Sequence, residues 1–274
     1  MKKWLLASVL VLVIGVLAAC GGKEKSGDAG EGLLSDGKLV VGVTAGPHEE
    51  ILGKVKELAA EEGLEIEVRP FTDYVMPNVA LAEKEIDINS FQTEPFFEAM
   101  KEDRNLDLLK VADTVTFPMG IYSSKVTDLA DLEEGAKIGL PGDPTNSARA
   151  LMLFEAAGLL KLEEGMGMNG TIHDIVENPK NYDFIELDSA QIARQLDELD
   201  AAAINTNFAI EYGLSPSEDS IFSETSDSPY VNLIAVRAES KDDEVVQQFI
   251  DIYRSEEVKK FIEENFDGSI IPSW

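Results

Sequence analysis

Short apolar runs alternate with amphipathic helical patterns along most of this chain, and that alternation restricts its fold more than any other feature. Leu39-Val40-Val41-Gly42-Val43 reads as a buried strand. Thr44-Ala45-Gly46-Pro47 follows as a loop, and Ile51, Leu52, Val55, Leu58 and Ala59 then recur at helical spacing until Gly63. Ile66 and Val68 alternate with charges in a second strand that runs to Phe71. Ile86-Asp87-Ile88 and Leu108-Leu109-Lys110-Val111 continue the series as strands with helices between them. A second block has a strand at Lys137-Ile138-Gly139-Leu140, a turn at Asp143-Pro144-Thr145, and a helix from Ala148 to Ala157 stopped by Gly158. A strand over Phe184–Leu187, a helix from Gln191 to Leu199 and a strand over Ala201–Ile204 running into Asn205 follow. The chain closes with a strand from Tyr230 to Val236 and a helical pattern from Val245 to Phe266. This order predicts an α/β fold with mostly parallel sheets, and two successive β-α-β blocks predict two lobes.

Composition removes several classes of function. With 44% hydrophobic residues in 274, the chain can bury a sizeable core and is not a disordered polymer. Its formal net charge of -29 repels phosphate backbones and argues against nucleic-acid binding. One cysteine and two histidines exclude a disulfide framework and a Cys/His zinc cluster, so no metal or cofactor is expected. The sequence holds no Gly-x-Ser-x-Gly elbow, no phosphate-binding glycine loop and no His-Glu-x-x-His, and no catalytic residues are assigned. The many acids read as a solvated surface. His48, just after Gly46-Pro47, reads as a capping or surface residue at the start of a helix.

The N-terminus is an address. Met1-Lys2-Lys3 precedes an uncharged stretch from Trp4 to Ala19, 16 residues long, and then Cys20-Gly21-Gly22. That is a secretory signal, short of the ~20 residues of a spanning helix. Leu17-Ala18-Ala19-Cys20 resembles the lipobox of bacterial lipoproteins, which implies a signal peptide over 1–19 and a lipidated Cys20. The fatty acyl chain would hold the protein at the extracytoplasmic face of the cell membrane. Residues 20–37 read as the lipidated cysteine and a flexible tether.

In open α/β sheets, ligands bind at the carboxyl ends of strands. Phe71-Thr72-Asp73-Tyr74, Ser90-Phe91-Gln92-Thr93, Asp143-Pro144-Thr145-Asn146 with Arg149, and Asn205-Thr206-Asn207 occupy such ends. They would converge on one cleft if the two lobes face each other, and their chemistry suits an amino acid. Arg149, placed in the first turn of its helix, can pair with a carboxylate, Asn205 and Asn232 can accept from an ammonium, and Phe71, Tyr74 and Phe91 can wall an apolar side chain. Each has a plainer alternative: a surface arginine, core aromatics, or turn-forming asparagines.

The same segments resemble the methionine-binding lipoproteins that feed ABC importers. The matching stretches are Val41–His48, Phe71–Val75 with Pro77-Asn78, Asp143–Asn146 with Arg149-Ala150-Leu151, Asp174–Asn181 and Ser228–Asn232, and the similarity runs from about Lys38 to Trp274. The resemblance implies a periplasmic-binding-protein fold, type II-like, with two α/β lobes joined by two crossings near Phe117–Gly120 and Asp227–Tyr230. Lobe 1 would comprise 38–117 plus 231–274, and lobe 2 would comprise 118–230. Arg149 would hold the ligand carboxylate, and Asn146, Asn205 and Asn232 would bind its polar end. Phe71, Tyr74 and Phe91 would line the side-chain pocket, and Asn232 would couple binding to closure. The partners implied are L-methionine or an analogue, an ABC permease with its ATPase, and the membrane. Many members carry His after Phe-Gln where this chain has Thr93, which leaves D-methionine, a methionine dipeptide or another apolar amino acid open. An adhesin or an extracellular hydrolase is the rival class.

Overall fold

The structure, a computed structural model, describes residues 33–34, 37–225 and 227–274. The expected signal peptide over 1–19 and lipidation at Cys20 lie outside the described residues. Leu33–Trp274 forms one compact unit.

The chain opens with β1 (Leu39–Thr44), α1 (Pro47–Glu61), β2 (Ile66–Phe71), α2 (Met76–Ala82), β3 (Ile88–Thr93), α3 (Glu94–Arg104) and β4 (Leu108–Thr116). It continues through β5 (Gly120–Tyr122), β6 (Lys137–Pro141), α4 (Pro144–Ala156), β7 (Lys161–Leu162), β8 (Ile175–Glu177) and β9 (Asp183–Leu187). Next come α5 (Ser189–Ile192), β10 (Ala201–Ile204), α6 (Thr206–Tyr212), α7 (Pro216–Asp219) and β11 (Phe222–Ser223). The last elements are β12 (Val231–Arg237), α8 (Glu244–Tyr253), α9 (Glu256–Asn265) and β13 (Ile271–Pro272).

Two main sheets form among the described residues, ordered β13-β4-β12-β3-β1-β2 and β11-β5-β10-β6-β9. The chain passes from the first to the second over 117–119 and returns over 224–230. Both sheets are mixed, which corrects the expectation of mostly parallel ones. β1 pairs in parallel with β2 and β3, but the returning β12 inserts antiparallel between β3 and β4. In the second sheet β10, β6 and β9 are parallel, and β5 and β11 run antiparallel at the edge. A strand that returns from the other lobe needs no helix before it, so strand–helix alternation does not reveal its direction.

Local chemistry explains the boundaries. α1 has Pro47 in its first turn with Glu49 and Glu50 beside the positive end of the dipole, and it buries Ile51, Leu52, Val55 and Ala59 against β1. Gly46, at φ +82°, makes the strand-to-helix turn beside Asn207 and Glu211 of the second lobe's α6. The third strand is Ile88–Thr93 rather than Ile86–Ile88, and it is buried along its whole length, so it shows no alternation. The region from Gln191 to Leu199 is not one α-helix: α5 gives way to a 3₁₀ turn over Ala193–Glu198. The pattern from Val245 to Phe266 divides in two. Arg254 ends α8 and donates to the Asp113 carbonyl, while the Ser255 side chain caps α9.

The end of the expected tether is also revised. Leu33 and Leu34 pack on the first lobe's core, and the Leu33 amide donates to Asp243 at 3.2 Å. Two leucines in a polar stretch carry no periodicity, so the sequence pattern alone did not mark them.

Candidate ligand-binding site

The carboxyl ends of β1, β2, β3, β6 and β10 and the first crossing surround one cavity between the two sheets. His48, Tyr74, Phe91, Gln92, Thr93, Phe96, Phe117 and Asn232 line it from one side. Asn146, Arg149, Asn205, Thr206 and Asn207 line it from the other. Of the expected ligand-binding residues, Tyr74, Phe91, Thr93, Asn146, Arg149, Asn205 and Asn232 are therefore brought together, and Phe71 is not. That ring packs under β1 with Leu81, Ile86 and Phe97. Phe71 is the last residue of β2 and Tyr74 lies in the turn after it, where the chain bends over the cleft.

Arg149 sits deeper in its helix than expected. Asp143 caps α4 by accepting from the Asn146 amide at 2.9 Å, and Pro144 follows as the first helical residue. Arg149 thus falls in the second turn, where the helix dipole no longer opposes its charge. Its fork is already engaged: Nε donates to Glu224 Oε1 at 2.8 Å, and Nη2 donates to Glu224 Oε2 at 2.6 Å and to the Phe117 carbonyl at 2.8 Å. The guanidinium lies over the Tyr230 ring, 4.2 Å from its centroid. Nη1 makes no hydrogen bond among the described residues. A bidentate grip on a ligand carboxylate is replaced by a bidentate grip on Glu224, with Nη1 left over.

The asparagines divide their work. Asn146 donates through Nδ2 to both Asp143 oxygens at 3.0 Å and accepts from Asn205 Nδ2 at 2.9 Å, so its amide orients neighbours. Asn205 Oδ1 is buried without a partner. Asn207 Oδ1 accepts from the Tyr74 hydroxyl at 2.6 Å, and its Nδ2 is buried without a partner. Asn232 donates to the Val115 carbonyl at 3.0 Å. Gln92 is held by a paired amide contact with Asn78, at 2.6 and 2.7 Å, and by Asn89. The cavity therefore presents a guanidinium at Arg149 and, buried without partners, an amide donor at Asn207 and an amide acceptor at Asn205. Orphaned buried groups of this kind cost stability unless something completes them.

Aromatic rings form the remaining wall. Tyr74 lies 6.0 Å from Phe91, 5.8 Å from Phe96 and 4.8 Å from Phe208 between ring centroids. Burial pushes its phenol well up, so it stays a neutral donor. His48 is buried rather than a surface cap, against the expectation. It stacks on Phe117 at 4.5 Å, its Nδ1 has no partner, and burial pushes the imidazole down to about 3. Burial also raises Asp143.

Glu224, the partner that holds Arg149, is the residue around the site that sequence reasoning missed. It is one acid among 52 acidic residues, in a loop with no periodic neighbours, and no spacing separates it from the rest. His48 and Asn207 carried a usable signal, since both follow strands whose carboxyl ends meet here. Among the described residues no group of three His, Cys, Asp or Glu side chains stands close enough to hold a metal ion. No helix among them is long and apolar enough to cross a membrane.

Comparison with known proteins bears on this site. A family model described as NlpA lipoprotein matches residues 39–274. The D-methionine-binding lipoprotein MetQ of Salmonella typhimurium is 40% identical over 261 residues, covering 94% of this chain and 93% of that one. A nutrient binding protein from Burkholderia cenocepacia, solved bound to methionine, is 44% identical with a TM-score of 0.84, over 86% of this chain and all of that one. An ABC transporter periplasmic substrate-binding protein from Coxiella burnetii is 41% identical with a TM-score of 0.83, over 86% of this chain and all of that one.

Proposed function

The chain belongs to the NlpA lipoprotein family, and from that premise we propose that it captures methionine or a close analogue between its lobes and delivers it to an ABC importer. The observation that carries this reading is the set of unpartnered polar atoms facing an aromatic wall. Arg149 and the buried, unpartnered Asn207 Nδ2 are donors for a carboxylate, and the buried, unpartnered Asn205 Oδ1 is an acceptor for an ammonium. Tyr74, Phe91, Phe96 and Phe117 offer ring edges and faces to the side chain. A thioether is well suited to such a wall, because sulfur–aromatic contacts add ~0.3–1.5 kcal/mol each.

The work is binding, with no covalent step. We assign 38–117 and 231–274 to one lobe and 118–230 to the other, hinged at the two crossings. Tyr74 and Asn207 bridge the lobes directly, and a ligand touching both sides favours the closed state by its differential contacts. Asn232 is the second residue of β12, just after the second crossing, and lines the cavity, which suits it to couple occupancy to closure. Lipid on Cys20 would keep the closed form at the extracytoplasmic face of the membrane, within reach of the permease and its ATPase. Nothing in the reading needs a cofactor.

A thermal-shift panel on refolded, ligand-stripped full-length chain in detergent tests it. At ~100 times its dissociation constant a ligand adds ~2.7 kcal/mol. A shift with L- or D-methionine or a methionine dipeptide, but not with sugars, is the expected result and reports what Thr93 permits. No shift with any methionine compound would overturn the reading.

A further inference from the structure

Resting on the amino-acid reading, we propose that Glu224 sets the charge class of the ligand: it restricts the cavity to molecules that carry an ammonium beside their carboxylate and turns away carboxylic acids that lack one. Arg149 is 3% exposed and the Glu224 side chain 13% exposed, and together they form a neutral pair at 2.6 Å. No other arginine or lysine among the described residues lines the cavity. His48, buried against Phe117, brings no positive charge. A carboxylate entering beside Arg149 therefore meets a guanidinium already neutralised. It would add a net negative charge next to Glu224, with Asp143 a short distance away beneath Asn146. Uncompensated charge in such a site is costly, and the remedy is a cation on the ligand itself. Asn205 Oδ1, buried and unpartnered, is an acceptor placed to receive it.

Glu224 is also fixed where it stands. Its Oε2 accepts from the Met119 amide at 3.0 Å and from Ser228 Oγ at 3.0 Å, and its own amide donates to the Met119 carbonyl at 3.0 Å. Met119 lies on the first crossing and Glu224 on the second, so the carboxylate is anchored by both connections between the lobes. It is not free to swing away from Arg149 when a ligand carboxylate arrives. Glu224 is a positioning and selectivity residue, acting through Arg149.

The test is calorimetric titration of refolded full-length chain in detergent with L-methionine and with 4-(methylthio)butanoic acid, which keeps the side chain and carboxylate but lacks the amine. Wild type is expected to bind the desamino acid at least ~100-fold more weakly, as a site built around a polar group rejects an analogue without it. Glu224→Gln keeps the shape and removes one negative charge, and it is expected to narrow that gap roughly tenfold or more. A role confined to holding the crossings would weaken both ligands alike, and an unchanged ratio in a folded Glu224→Gln variant overturns the proposal. Equal affinities of the two ligands for the wild type would also overturn it, whether or not that variant folds. Absence of methionine binding in the wild type would instead defeat the amino-acid reading on which the proposal rests.

Discussion

Arg149 has two engagements: it grips Glu224 with Nε and Nη2, and it lines the cavity. Removing it harms the fold as well as binding, because Glu224 would be left mostly buried without a counter-charge. Arg149→Ala is expected to cost about 3–5 kcal/mol of stability in urea unfolding, with part recovered in Arg149→Ala/Glu224→Ala. Equal stability of Arg149→Ala and wild type would mean that water screens the pair. His48 gives a pH signature. Unfolded, its imidazole takes a proton below the ordinary 6.5, and folded only near 3. Between those values the unfolded state binds more protons, so stability is full above pH 6.5 and falls by about 1.4 kcal/mol per pH unit below it. Urea midpoints taken between pH 6.5 and 5, above the carboxylate range, should drop for wild type and stay flat for His48→Gln. A flat wild-type profile would mean that His48 is protonated in the native state.

Elements position these residues by their ends, and the ends were the harder part to read. β1 and α1 were legible because a continuous apolar run and a 3.6-residue period are distinct signals. The strand-end rule pointed to Tyr74, Thr93, Asn146 and Asn205, all of which line the cavity. It failed for Phe71, since one residue before or after a turn decides between core and cleft. It did not reach Glu224, whose importance comes from a contact 75 residues away in sequence. The mixed sheets were hidden for a related reason, because β12 takes its direction from a long-range return. The start of β5, just after the first crossing, has a tight limit on side-chain size. A Cβ on Gly120 would lie 2.9 Å from Cε2 and Oη of Tyr122, a fully buried ring with little room to move. Gly120→Ala should therefore cost ~1–3 kcal/mol in thermal or urea unfolding. An effect within a few tenths of wild type would show that the start of β5 yields at this point.

At the scale of the whole molecule, Tyr74 on one side of the cleft reaches Asn207 on the other at 2.6 Å, the shortest side-chain hydrogen bond between the lobes among the described residues. Tyr74→Phe keeps the ring stack with Phe208 and removes only the hydroxyl. Asn207 would then have both amide atoms unpartnered in the closed form, at a cost of about 1–2 kcal/mol. The unliganded variant should show a larger radius of gyration by solution scattering and a weaker affinity. Identical scattering would place closure under other contacts. The central claim is that the cavity between the lobes is completed by a methionine zwitterion. Calorimetric titration of refolded, ligand-free full-length chain with L- and D-methionine tests it most directly. The account predicts saturable one-to-one binding of at least one enantiomer with a negative heat-capacity change, from burial of the side chain against the aromatic wall. No saturable heat with either enantiomer would contradict it.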